Sequence, residues 1–312
     1  MEGRTDQREP WLAALANFGG SGIGSVYSGQ ALTGVLLVGG AMLTMLLVGA
    51  AVVWLPPSPI AAGLVWFLPL AYTCAATALG WRAARAAPRP FVPRWYNRWY
   101  WYVAYASVVY VGLIVGALPW IRTHVMEAFR VPSGSMEPTV LAGEFVMVPR
   151  AVRSARIGPH RGAIVVYTLV EEPGLKTIKR IVGIAGDTLA MRGGQLLLNG
   201  QAVEEPYVRH DASAAQADSP ARAKMRAWQV QHFVGTVPAA YSPDVSDWGP
   251  VAVPHGMMFV LGDNRDRSYD SRHYGFVPTA NVVGQPRLVY WSFEPAVAPG
   301  RIRWSRLGRA IN

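Results

Sequence analysis

The chain has 312 residues, 51% of them hydrophobic and 15% charged, with a formal net charge of +10. An average soluble domain carries about 25% charged residues, and disorder needs low hydrophobicity with dense charge, so a disordered chain is excluded. The positive charge is almost all Arg, because Lys176, Lys179 and Lys224 are the only lysines.

Charge is segregated along the chain. No charged side chain occurs from Pro10 to Trp81, nor from Trp99 to Ile121. A helix crossing a hydrocarbon core of about 30 Å needs roughly 20 apolar residues. Residues 31–55, 60–80 and 99–120 each meet that need, so 1–121 is expected to be a membrane anchor of three transmembrane α-helices. Trp99, Tyr100, Trp101 and Tyr102 at one end of the third stretch, and Trp120 at the other, suit membrane interfaces. The loop 81–98 carries Arg82, Arg85, Arg89, Arg94 and Arg98, whereas the Pro-rich turn before residue 60 carries none. The positive-inside rule places that loop in the cytoplasm, and three crossings then put residues 122–312 on the extracytoplasmic side. The Gly-rich stretch 17–30 is expected to be a flexible lead-in loop or a re-entrant segment. It lacks the Lys of a nucleotide-binding loop.

Cys74 is the only cysteine, so an intrachain disulfide and a cysteine-cluster metal site are excluded. No cofactor or metal is expected. Because part of the Arg excess marks the cytoplasmic side, the charge is no argument for nucleic acid as a partner.

From residue 122 the pattern changes to short β-rich runs between turns. Strands are expected at 144–149, 163–169, 177–184, 195–198, 257–261 and 287–293, with a hairpin at Asn199-Gly200. The fold expected is a mainly antiparallel β domain. Residues 204–250, polar and rich in Ala and Pro, look like an insertion on the sheet, with a short helix near 219–229.

Three stretches carry candidate chemistry. In Val131-Pro-Ser-Gly-Ser-Met-Glu-Pro-Thr139 two prolines bracket a turn with hydroxyls at Ser133 and Ser135, a pattern suited to a nucleophile beside oxyanion donors and also to a plain surface turn. Lys179 lies in a β-branched run. Strand alternation puts it on the side of Ile181, where desolvation would lower its pKa from about 10.4 toward the roughly 7–8 useful in a base. The alternative is a strand lysine that reaches water. In Leu261–Phe276 acids and arginines alternate, enough for a loop locked by Asp263, Arg265, Asp270 and Arg272, with Ser268 as a hydroxyl partner for an amine. Of the six histidines only His273 lies near such a stretch, beside Asp270, and a Ser-His-Asp triad stays open on spacing alone.

Taken in order, Pro132-Ser-Gly-Ser-Met136, Arg161-Gly-Ala-Ile-Val-Val-Tyr167, Lys179-Arg-Ile-Val-Gly183 and Gly262-Asp-Asn-Arg-Asp-Arg-Ser-Tyr-Asp-Ser-Arg272 resemble bacterial type I signal peptidase, or leader peptidase. The resemblance covers roughly residues 122–293. A third crossing departs from the one or two spans of many members. It implies a Ser/Lys dyad serine protease that removes signal peptides from exported preproteins after a small-x-small sequence. Ser135 would be the nucleophile and neutral Lys179 the general base. The Ser135 amide and Ser133 hydroxyl would form the oxyanion hole, Ser268 would orient Lys179, and Asp270 and Arg272 would support that loop. Phe129, Val131, Met136, Val140 and Ile178 match positions lining the substrate pockets, with the substrate added as a strand beside residues 127–131. His273 has no role in the family. The implied location is the bacterial inner membrane, with the catalytic domain outside, near the secretion translocon. Exposed aromatics at 291–304 beside Arg301, Arg303, Arg306 and Arg309 suggest docking on anionic lipid. Other readings are a specialised relative maturing a few substrates and a catalytically silent scaffold that binds exported chains. The soluble self-cleaving Ser/Lys repressors share the dyad, but a membrane anchor argues against them.

Overall fold

The computed structural model describes residues 7–56, 58–149, 160–172, 174–210, 219–294 and 300–311. The chain divides into two compact units, Met1–Glu127 and Ala128–Asn312.

The first unit is helical. It contains α1 (Pro10–Ala16), α2 (Ile23–Tyr27), α3 (Ala31–Trp54), α4 (Pro59–Arg85), α5 (Trp99–Val111) and α6 (Leu118–His124). Pro59 starts α4 after Ser58, whose side chain accepts from the Ala61 amide, and Arg82 and Arg85 occupy its last turn, where cations complement the helix dipole. Two helices are long and apolar enough to cross a membrane, Ala31–Ala51 with mean hydropathy 2.2 and Pro59–Arg85 with 1.6. The third expected span is divided: a π-helical segment, Gly112–Ala117, separates α5 from α6, so neither piece alone reaches spanning length.

The Gly-rich stretch is not a flexible loop. It folds as a 3-10 turn at Phe18–Gly20 followed by α2. Its glycines serve close backbone approach rather than mobility: a Cβ on Gly24 would lie 1.8 Å from the Ala13 carbonyl oxygen. Asn17, fully buried, closes the packing by donating to Ser25 Oγ and the Ala76 carbonyl, both at 3.0 Å, and accepting from the Ser25 amide at 3.1 Å. The Asn17 side-chain amide, brought into that apolar setting, thus has partners for both its nitrogen and its oxygen.

The second unit is a β domain of thirteen short strands among the described residues, the first of which begins at the unit boundary. They are β1 (Met126–Arg130), β2 (Glu144–Pro149), β3 (Ile164–Thr168), β4 (Lys176–Ile184), β5 (Thr188–Arg192), β6 (Gln195–Leu198), β7 (Gln201–Ala202), β8 (Trp248–Ala252), β9 (Met257–Leu261), β10 (Val277–Pro278), β11 (Val282–Gly284), β12 (Leu288–Glu294) and β13 (Arg301–Ile302). They form three sheets ordered β1-β2-β12-β13, β10-β9-β4-β3-β11 and β7-β6-β5-β8. The central sheet is antiparallel, with Ile164 opposite Arg180 and Arg180 opposite Leu261. Asn199, at φ 51°, and Gly200 make the tight turn between β6 and β7.

The last residues of the polar stretch 204–250 enter β8, where Trp248 is fully buried and Met191 stands opposite it. The stretch also supplies α7 (Ser219–Gln231), whose Trp228 packs against the cluster of Leu189, Met191, Trp248 and Phe259. A final short helix, α8 (Ser271–Tyr274), follows the turn after β9.

Candidate active site

Lys179 stands opposite Val165 on the face of the central sheet that also carries Tyr167, Ile181 and Val260. Strand alternation fixes that orientation, and the register slips only beyond Ile181. Its amine lies 2.7 Å from Ser135 Oγ, and the two residues are 3% and 6% exposed. Burial, with the Asp270 and Asp263 carboxylates opposing it and Arg272 adding to it, brings the Lys179 pKa down from the usual 10.5 to about 8. A buried amine close to neutrality at mild pH can accept a proton from a hydroxyl in contact with it.

Ser135 sits on the turn between β1 and β2. A Cβ on Gly134 would lie 2.7 Å from the Glu137 carboxylate, the movable end of a flexible side chain. Ser133 Oγ donates to Ser135 Oγ at a long 3.4 Å. The segment after β9 holds the turn from the other side. Asn264 donates from its backbone amide to the Ser135 carbonyl at 3.1 Å and from its side chain to the Gly134 carbonyl at 3.2 Å. A Cβ on Gly262 would lie 2.2 Å from Ser268 Oγ and 2.5 Å from the Ser135 carbonyl oxygen, so only glycine lets these backbones meet. Ser268 Oγ is buried there without a hydrogen-bond partner, and it does not bond Lys179.

Asp270 and Arg272 form an ion pair at 2.8 Å with both side chains fully buried. Asp270 also accepts from the Gly262 amide at 3.0 Å, and Arg272 with these bonds holds its carboxyl down at about 2 against burial, which acts the other way. A second buried pair, Arg180 and Asp263, is bidentate at 2.9 and 2.8 Å, and Asp263 also accepts from Thr139 on the turn that carries Ser135. His273 does not reach Ser135. Its ring stacks on Tyr269 with centroids 4.8 Å apart, burial lowers its pKa, and the carboxylate of Asp270 is committed to Arg272.

Val131, Met136, Val140 and Ile178 are buried in one cluster, with Phe129 packed partly buried against it. The structure thus brings together Ser133, Ser135, Lys179 and these five apolar residues, with Ser268, Asp270 and Arg272 on the adjoining loop. Sequence reasoning missed Asn264 and the Arg180–Asp263 pair as supports of the turn that carries Ser135. The one signal was an Arg beside a Lys in a buried strand, which leaves a charge on each face of it.

Residues 102–291 match the family model described as signal peptidase, peptidase S26. The chain belongs to the signal peptidase S26 family. It is 33% identical to signal peptidase I of Leptolyngbya laminosa, over 58% of this chain and 76% of that one. It is 30% identical to signal peptidase I of Pseudomonas aeruginosa, covering 60% and 72%, and 32% identical to that of Aquifex aeolicus, covering 62% and 87%. This signal peptidase is therefore a serine peptidase, a hydrolase that removes signal peptides from preproteins, built as two candidate N-terminal membrane helices and an antiparallel β domain of the family type.

Proposed function

We propose that the protein is a membrane-bound serine endopeptidase in which Ser135 is the nucleophile and neutral Lys179 the general base, cutting preproteins after a small-x-small sequence. The observation that carries this reading is the 2.7 Å contact between the Lys179 amine and Ser135 Oγ. Lys179 takes the Ser135 proton as Oγ attacks the carbonyl of the residue before the cut. The Ser135 amide and Ser133 hydroxyl stabilise the oxyanion that develops. The protonated Lys179 then passes its proton to the leaving amine, and the neutral amine activates the water that hydrolyses the acyl-enzyme. Asp270 and Arg272 fix the loop beside Lys179, and Ser268 is a second hydroxyl close to the pair.

The substrate adds beside β1, which is the outer strand of its sheet. Alternate substrate side chains then meet the apolar cluster of Phe129, Val131, Met136, Val140 and Ile178, where this reading has only small ones accepted. In this reading residues 1–121 anchor the enzyme in the bacterial inner membrane through three crossings, the third being the combined run from α5 to α6. The β domain lies outside, near the translocon. Lipid contact at the C-terminus falls to Trp304, 68% exposed, with Arg301 and Arg309, because Arg306 is buried in an ion pair with Glu144.

The purified full chain in detergent, given a preprotein with an Ala-x-Ala site, is expected to cut after that site. Ser135→Ala and Lys179→Ala should each lose at least about 10³-fold in kcat. Cleavage that survives either change refutes the dyad, and a chain that binds the preprotein without cutting it is a scaffold.

A further inference from the structure

The loop after β9 is held from outside as well as from within. On α7, residues 225, 228 and 229 fall on one helical face. Met225 and Gln229 are fully buried, while Lys224 and Arg226 are exposed. From that face the Trp228 indole N–H donates to the Arg272 carbonyl at 3.1 Å. Its ring covers Gly275, where a Cβ would approach it to 3.4 Å, and it meets Phe276 edge-on at 5.4 Å. The chain that follows α7 reaches the same arginine: the Val245 carbonyl accepts from Arg272 Nη1 at 3.2 Å. One turn from Trp228, Lys224 bonds Glu171 and, at 3.1 Å, the Tyr269 hydroxyl, while Tyr269 donates to Glu171 at 3.0 Å. Tyr269 lies between Ser268 and Asp270.

We propose that α7, through Trp228, is a positioning element for the active site: it fixes the backbone of Arg272, and so the Asp270–Arg272 pair, against Lys179. The inference rests on the Ser135–Lys179 reading and deepens it. Arg272 is fully buried, and its guanidinium bonds the Asp270 carboxylate and the Arg265 and Ser268 carbonyls. Its own carbonyl is the point at which α7 pins the loop. Tryptophan suits the task because one side chain supplies a wide apolar face for Gly275 and Phe276 and a single donor at its edge. Lys224, Glu171 and Tyr269 form an exposed latch, and pairs of that kind contribute little energy alone. Trp228 therefore carries the larger share.

The charged groups that act on Lys179 are Asp270 and Arg272 from the loop and Asp263 at the end of β9, itself paired with Arg180. If the loop loosens, water reaches Lys179 and the desolvation that depresses it weakens, so its titration moves to higher pH.

The test uses the full-length enzyme in detergent with a signal-peptide substrate. Trp228→Phe keeps an aromatic ring, though a smaller one, and removes the donor, whereas Trp228→Ala removes both. For Trp228→Phe, kcat is expected to fall about 3–10-fold, as for one lost hydrogen bond. KM should stay unchanged, and the midpoint of the alkaline rise in kcat/KM should move to higher pH. Trp228→Ala should amplify both effects in whatever fraction stays folded. A Trp228→Phe enzyme with the parental kcat and pH midpoint overturns the proposal, even if its melting temperature drops. So does a change confined to KM. Failure of the dyad itself would instead appear as cleavage by Ser135→Ala or Lys179→Ala, in which Trp228 is intact.

Discussion

The two units solve the burial of polar groups in opposite ways. The β unit buries full charges in pairs: Arg180 with Asp263, Arg265 with Glu205, Arg272 with Asp270 and Arg306 with Glu144. The helical unit has no charge from Pro10 to Trp81 and joins its elements with an amide, hydroxyls and glycines around Asn17. A buried ion pair needs satisfied partners on every side and is costly to break. A neutral kernel costs less to desolvate but needs backbones in contact. The β unit accepts the costlier arrangement around Lys179, whose proposed role needs an uncharged amine beside Ser135, and the Asp270, Arg272 and Asp263 charges act on its titration together with burial.

That contrast can be broken from both sides. The largest effect is expected for Arg272→Met, which strands the Asp270 carboxylate, fully buried, without its cation. Thermal unfolding should show a loss of about 3–5 kcal/mol. Asp270 has a folded pKa of about 2, below the ordinary 3.8. Its contribution is thus present above the unfolded value and lost as pH falls toward 2, and the deficit of the variant should shrink with it. A loss below about 1 kcal/mol at pH 7 would show that the pair is not a main support.

Lys179→Met should act with the opposite sign on stability. The folded pKa of about 8 lies below the ordinary 10.5, so between those values the unfolded chain holds the proton more tightly. Stability therefore rises with pH across that window, and at neutral pH the amine costs the fold at most roughly 3 kcal/mol. Removing it should raise the melting temperature while activity disappears. A lower melting temperature would contradict so costly a burial. In the helical unit, Gly24→Ala forces a methyl within 1.8 Å of the Ala13 carbonyl oxygen and should cost about 1–3 kcal/mol, read as a lower melting temperature in detergent. An unchanged melting temperature would return the segment to the status of a loop.

Much of the β unit was legible because its strands are short apolar runs set between turn residues: residues 144–149 and 257–261 appear as read. β5 and β8 were not, since Thr188–Arg192 has only Thr188 as a β-branched residue and no aromatic one, and β8 contains Gly249 and Pro250, which argue against a strand locally. Only tertiary pairing makes them strands. The residues near Ser135 were legible as motifs, but Asn264 and Trp228 act through backbone carbonyls distant in sequence, which no local pattern records. The stretch 17–30 misled for a related reason. Glycine signals mobility or close approach equally well, and the Ala13 carbonyl that distinguishes them lies in another helix.

The central claim, that a buried neutral lysine activates Ser135, is tested most directly by the pH dependence of kcat/KM on a signal-peptide substrate, for the parent enzyme and His273→Gln. The rate should rise with pH through about 8, where Lys179 loses its proton, and the two profiles should coincide. A maximum near pH 6 that vanishes in His273→Gln would contradict it.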